Sequence, residues 1–197
     1  MLGIVLCGGQ SLRMGTDKGL LNHQDKLWAQ VAFDKLSSLN LQVKFSVNPS
    51  QQEIYAGYFG NEQLIVDYSL LDIKGPLLGV LSAHISNPEE DLFLLACDML
   101  LMETKLLEKL IYSFKADSTF DAYIFSKDGQ QEPLCGIYKA DGLKNIAHLL
   151  NTNGLAKHSM KYILSNLRVC EITVDEHDYR YFGNFNSQEE VKQVFLE

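Results

Sequence analysis

Gly3-Ile4-Val5-Leu6-Cys7-Gly8-Gly9-Gln10-Ser11-Leu12-Arg13-Met14-Gly15-Thr16-Asp17-Lys18-Gly19 starts as a short apolar run and passes directly into a loop carrying four glycines. The run predicts a buried strand over Gly3 to Leu6, and the glycines let the backbone of the following loop come close to a ligand. Consecutive free N–H groups in such a loop make a concavity that suits an anion. Arg13 and Lys18 add two fixed positive charges. A triphosphate needs both amide cradling and charge neutralisation, so it is the ligand class this stretch predicts. A P-loop, with Gly, four residues and then Gly-Lys, is excluded by spacing, and so is the Gly-x-Gly-x-x-Gly dinucleotide fingerprint.

Outward from this loop, short apolar runs alternate with segments of helical period, which is the pattern of an α/β fold. A helix is expected from about Lys26 to Leu39, with Leu27, Val31, Leu36 and Leu39 forming much of its buried stripe. A strand at Gln42 to Val47, a helix near Gln52 to Phe59 and a strand at Leu64 to Val66 follow. Gly75-Pro76 opens a further helix carrying Leu77, Leu78, Leu81 and His84. Leu92-Phe93-Leu94-Leu95-Ala96 is apolar at every position, as a central parallel strand covered on both faces must be, and it ends in Cys97-Asp98. After a helix from Glu103 to Lys115 the parallel pattern breaks. Asp121 to Ser126 and Glu132 to Tyr138 flank Lys127-Asp128-Gly129-Gln130, a hairpin loop. Helical segments near Gly142 to Leu150 and Lys157 to Leu167 lead to a strand at Arg168 to Val174, and Ser187-Gln188-Glu189-Glu190 reads as a capping box opening a last helix.

With 197 residues, 46% of them apolar and 21% charged, the chain has the composition of one globular domain spanning 1–197. No apolar run approaches the roughly 20 residues that a membrane span needs. The N-terminal stretch lacks the basic start and small-residue cleavage site of a secretory signal. Cys7, Cys97, Cys135 and Cys170 stand far apart, which suggests neither a zinc site nor a disulfide framework, and a cytoplasmic location is expected. A formal charge of −8 argues against a nucleic-acid surface, so a polyanionic substrate must meet a local cationic pocket. The five histidines do not cluster and read as surface or locally hydrogen-bonded residues. Trp28, Tyr55, Tyr58 and Phe59 read as packing residues.

The sequence resembles the nucleotidyltransferases with a Rossmann-like sheet, and within them the molybdenum cofactor guanylyltransferase (MobA-like) family. The resemblance rests on Leu6-Cys7-Gly8-Gly9, Ser11, Arg13-Met14-Gly15 and Asp17-Lys18, then on Gly75-Pro76-Leu77-Leu78-Gly79, Cys97-Asp98-Met99 and Asn184-Phe185-Asn186. The first block marks the superfamily and the others the subgroup. Cys7 replaces the usual Ala, Leu12 a frequent polar or basic residue, Leu100 a common Pro, and Ser187-Gln188 the usual Thr-Pro. The fold implied is a three-layer α/β arrangement whose central sheet is mostly parallel with an antiparallel portion.

What the resemblance implies is transfer of GMP from GTP to the terminal phosphate of molybdopterin, with release of pyrophosphate. The attacking oxygen belongs to a phosphate monoester already ionised near neutral pH, so no strong general base is required. That accounts for a chain without a Ser-His or Cys-His constellation. Catalysis then rests on holding two polyanions in line and offsetting their charge, with Arg13, Lys18 and Mg²⁺ as agents. Asp98, just beyond a buried central strand, is the expected metal ligand. The nucleotide is expected to contact Leu6, Cys7, Gly8, Gly9, Lys18, Asn48, Asp67 and Asp98. Asp67 would accept the N–H donors of guanine, and Gly75 to Gly79 would let backbone approach the nucleoside. An Asp or Asn after a strand can equally serve the turn it stands in. Asn186 is a candidate for orienting the metal or the acceptor, although an Asn in a loop before a capped helix is equally often structural, and Glu132-Pro133 lies in the acceptor-side region without an assigned role. Molybdoenzymes or their insertion chaperones would receive the product. A related enzyme using CTP or a sugar or polyol phosphate acceptor, and a non-catalytic GTP-binding protein that delivers the cofactor, are the competing readings.

Overall fold

A computed structural model of the chain describes residues 1–8, 17–185 and 190. Its seven-stranded sheet has the order β5 (Leu64–Val66), β4 (Gln42–Val47), β1 (Leu2–Leu6), β6 (Leu92–Ala96), β8 (Gln130–Tyr138), β7 (Ala122–Lys127) and β9 (Val169–Thr173). β1 pairs in parallel with β4 and β6, and β4 with β5. β8 runs antiparallel to both β6 and β7, and β9 is again parallel to β7. The sheet is therefore mostly parallel with one reversed strand, and β6, apolar at every position, is the fourth of seven.

Alternation along the strands sorts their side chains to two faces. Val5, Phe45, Phe93, Leu95, Tyr123 and Phe125 meet α1 (Trp28–Ser37) and α4 (Thr104–Ala116) through Ala29, Ala32, Leu36, Leu106, Leu107 and Leu110. Leu2, Ile4, Leu6, Leu92, Leu94 and Ile124 meet α3 (Pro76–Ser86), α5 (Ala140–Asn153) and α6 (Met160–Leu164) on the opposite face. Both sides of β6 are fully covered, and truncating Leu94 to Ala there costs about 2–5 kcal/mol. On the same face as α1 and α4 lies α2 (Gln52–Phe59), whose Tyr55 and Phe59 pack on Phe45 of β4 with ring centroids 6.4 and 4.2 Å away.

The structure departs from the sequence expectations in local ways. The helix expected from Lys26 begins at Trp28, because β2 (Asn22–His23) and β3 (Lys26–Leu27) pair into a small antiparallel ribbon turned by Gln24 at φ 46°. Its fully covered residues are Trp28, Ala29, Ala32 and Leu36, while Leu27, Val31 and Leu39 are half-buried. The segment expected over Lys157 to Leu167 shrinks to α6, started by Ser159, whose Oγ accepts from the Tyr162 amide. The hairpin loop is only Asp128-Gly129, with φ of 48° and 79°, a primed turn that matches the twist of the strands and lets them extend to Lys127 and Gln130. α7 (Glu176–Tyr179) follows β9.

Tyr58 faces solvent on α2 and is not a packing residue. His84 is buried on α3, where desolvation lowers its pKa and Nδ1 finds no partner among the described residues. The predicted capping box at Ser187 to Glu190 lies outside the described residues apart from Glu190.

Candidate active site

Four parallel strands end side by side, and their exit residues stay in register. The amides of Cys7 and Gly8 both donate to the Ser46 carbonyl, each at 3.0 Å. Cys97 N donates to Leu6 O at 3.2 Å, and Asp67 N to Val47 O at 2.9 Å. Gly8, Asn48, Asp67 and Asp98 therefore share one edge, where ligands of open α/β sheets bind. Leu6 and Cys7 are buried at the end of β1, and the loop leaves from Gly8.

The chain re-enters at Asp17, which caps a short 3₁₀ turn over Lys18–Leu20 by accepting from Gly19 N at 3.0 Å. This turn delivers Lys18 to Asp98, with Nζ 3.0 Å from Oδ2 across 80 positions of sequence. The lysine and the carboxylate keep 23% and 19% of their side-chain surface open, so both remain reachable by a ligand. The Asp98 carbonyl accepts from Phe185 N at 3.1 Å, and Phe185 packs edge-on against Trp28. The Asn184-Phe185 motif thus reaches the end of β6. Gly9, Arg13 and Asn186 lie outside the described residues.

Asp67 sits in a niche built by glycines. A Cβ on Gly79 would come within 2.4 Å of Ser46 Oγ, and one on Gly8 within 3.2 Å of Asp67 Oδ2. Only 9% exposed, the Asp67 carboxyl is pushed up to about 6 by burial, against a long 3.4 Å hydrogen bond from Ser46 Oγ that favours the charged form. Gly75, at φ 72°, holds a conformation open to glycine and starts α3 with Pro76 in its first turn.

Asn48 is committed to its turn. Its Oδ1 accepts from the Ser50 amide at 2.9 Å, the Ser50 hydroxyl at 2.6 Å and the Gln51 amide at 3.1 Å, which opens the way into α2. The turn-forming reading of this residue is thus what the side-chain oxygen does.

Several residues escaped the sequence reading. Gln51, given no role, donates to Cys7 O and Asp17 Oδ2 and accepts from Asn48 N. Tyr55, read only as packing, also donates from its hydroxyl to Asp17 Oδ1 at 3.0 Å, and burial holds that phenol protonated far above its ordinary range. Their four-residue spacing on one helix face was the available signal. Gly19 is explained the same way, since a Cβ there would lie 2.1 Å from the Tyr55 hydroxyl oxygen.

Farther along the edge, Lys35 donates to the Leu100 carbonyl at 2.5 Å, and burial lowers its pKa to about 8. Glu132 accepts from Tyr179 at 2.9 Å where β7 and β8 lose register, and burial raises its pKa.

A glycine at the end of β1 bonded to the neighbouring strand, a lysine held to a strand-end aspartate and a recessed second aspartate suit the handling of a nucleotide's phosphates. Comparison with known proteins agrees. The chain is 30% identical over 194 residues to the molybdenum cofactor biosynthesis bifunctional protein of Synechocystis sp., covering 98% of this chain and 53% of that protein, so it spans about half of that relative. It is 27% identical over 190 residues to the probable molybdenum cofactor guanylyltransferase of Flavobacterium johnsoniae, covering 96% of this chain and 94% of that one. Among solved structures, molybdopterin-guanine dinucleotide biosynthesis protein A from Archaeoglobus fulgidus shares the fold, with a TM-score of 0.77 at 22% identity over 98% of this chain and 96% of that one. The profile of the MobA-like NTP transferase domain matches residues 3–167, the stretch that carries the glycine loop, Lys18, Asp67 and Asp98, and the chain belongs to that family.

Proposed function

We propose that this protein is a molybdenum cofactor guanylyltransferase, which moves GMP from GTP to the terminal phosphate of molybdopterin and releases pyrophosphate. The observation that carries the reading is the Lys18–Asp98 pair, which joins the turn over Lys18–Leu20 to the end of β6 in a chain of this family. An oxygen of the acceptor phosphate attacks the α-phosphorus of GTP, the bond from that phosphorus to the bridging oxygen of the β-phosphate breaks, and the leaving pyrophosphate takes the electron pair. The nucleophile is already an anion, so no side chain needs to remove its proton.

The chain's own task is electrostatic and positional. Lys18 and Arg13, with the amides after β1, offset the charge of the triphosphate. Asp67 accepts from guanine, and Asn48 and the backbone of Gly75 to Gly79 frame the nucleoside. Asp98 fits as a ligand for Mg²⁺: it is a hard oxygen donor on a rigid strand end, partly open, and such an ion needs one or two carboxylates because phosphate oxygens and water complete its shell. When bound there, the ion supplies further neutralisation of phosphate charge. The product would pass to molybdoenzymes or their insertion chaperones.

The test is incubation with Mg²⁺, each of the four ribonucleoside triphosphates and molybdopterin, reading pyrophosphate and dinucleotide. GTP-dependent release of both is expected. A preference for CTP, or turnover only with a sugar or polyol phosphate, overturns the guanylyl assignment. GTP binding without pyrophosphate overturns catalysis in favour of cofactor delivery.

A further inference from the structure

The loop that follows β1 leaves at Cys7 and returns at Asp17, and one side chain outside it holds both ends. Gln51 Nε2 has two N–H groups. One donates to Cys7 O at 3.1 Å and the other to Asp17 Oδ2 at 2.6 Å, while Oε1 accepts from Asn48 N at 2.9 Å. The carboxamide thus joins loop entry, loop exit and the end of β4. Asp17 is fixed from its other oxygen by Tyr55 OH and Gly19 N, both at 3.0 Å. Tyr55 has no freedom to drift, since its ring is fully buried against Phe45 and Phe59.

We infer that Gln51, acting with Tyr55 through Asp17, is a positioning residue for nucleotide binding: it ties the two ends of the glycine loop together and fixes the place from which Lys18 reaches Asp98. The inference rests on the proposed function in taking this loop as the phosphate-binding one. A side chain already held in place loses little freedom when the ligand arrives, so fixing Asp17 and the turn over Lys18–Leu20 lowers the cost of engaging the phosphates. Without the bridge only a fraction of molecules holds the Lys18 turn ready, and apparent affinity falls by that fraction. Bound triphosphate can still draw Lys18 into place, so turnover at saturation is spared. The signature is a KM effect on the nucleotide alone.

Gln51→Met keeps length and apolar contact but loses all three side-chain hydrogen bonds. It is expected to raise KM for GTP about tenfold, with kcat changed less than about twofold and the acceptor KM unmoved. Tyr55→Phe retains the packed ring and should raise KM for GTP about threefold. Because both act through Asp17, the double variant should fall short of the product of the two effects. Gln51→Glu sets two carboxylates against each other and is expected to be worse than Gln51→Met. Adding Asp17→Asn to it restores a donor–acceptor pair: the introduced amide nitrogen faces the new carboxylate, while the amide oxygen still accepts from Gly19 and Tyr55. That combination should recover part of the lost affinity and not all of it, because the carboxylate has no donor for the Cys7 carbonyl.

A second measurement needs no nucleotide. Amide hydrogen exchange at Cys7, Gly8 and Gly19 to Leu21 should quicken in Gln51→Met while the amides of β6 stay protected. Failure of the wild type to transfer GMP overturns the proposed function, and the exchange measurement then decides whether the bridge itself exists. Unchanged exchange in the folded variant overturns the inference. So does a lowered Tm accompanied by a wild-type nucleotide KM, which is the result that a purely structural glutamine gives.

Discussion

Replacing Asp67 by asparagine removes a charge that the fold holds at a cost. Its carboxyl lies under Gly8 and beside Gly79, with 9% of its surface exposed, and its pKa rises from 3.8 to about 6 because burial disfavours the anion. That rise corresponds to about 3 kcal/mol in the ionised state, at 1.36 kcal/mol per unit. The sign follows from proton counts. Between about pH 4 and pH 6 the folded protein keeps this proton while the unfolded chain has lost it, so stability falls as pH rises through that window and is level above it. The substituted amide does not titrate and still accepts from Ser46. Denaturant unfolding at several pH values should show Asp67→Asn equal to wild type near pH 4 and more stable by up to about 3 kcal/mol at pH 8, which for a chain of this size is roughly 6–12 °C in Tm. The same substitution should weaken GTP binding at pH 8 by about tenfold or more, because an anionic acceptor facing the guanine N–H groups is lost. Parallel stability curves for the two proteins from pH 4 to pH 8 refute the claim that this carboxylate is desolvated and destabilising.

Three further outcomes are expected. Lys18→Ala and Asp98→Ala should each lower kcat/KM by at least about a hundredfold, with circular dichroism unchanged; near-wild-type turnover in either folded variant rejects its role. Gly19→Ala places a Cβ 2.1 Å from the Tyr55 hydroxyl and should cost about 1–3 kcal/mol of stability, part of which the double variant with Tyr55→Phe recovers; equal Tm values for the two variants contradict the steric account. Lys35, whose pKa is lowered to about 8 by burial, is neutral in the fold but charged in the unfolded chain between about pH 8 and pH 10.5, so stability should rise across that window. Lys35→Met should abolish that rise in pH-dependent unfolding, and persistence of the rise assigns it to another group.

Period and punctuation alone carried most of the fold. The uninterrupted apolar run Leu92 to Ala96 located the central strand, and Asp128-Gly129 located the point where the sheet reverses. The start of α1 was misread because Lys26 and Leu27 satisfy a helical stripe equally well, and only pairing with Asn22 and His23 makes them a strand. Asp98 and Lys18 were legible as candidates because the chemistry of a triphosphate demands charge at a strand end. Their 3.0 Å approach was not, since 80 positions separate them.

What the sequence by itself determined was most of the strands and helices, the glycine loop and the residue types able to hold phosphate, because backbone propensity, hydrophobic alternation and charge are local properties. Tertiary structure alone decided that Gln51 reaches both Cys7 and Asp17, that Tyr55 shuts out any side chain at position 19, and that Asp67 is recessed enough to resist ionisation. Those are properties of distance and solvent exclusion between segments far apart in the chain, and they exist only once the strands have brought their ends to a common edge.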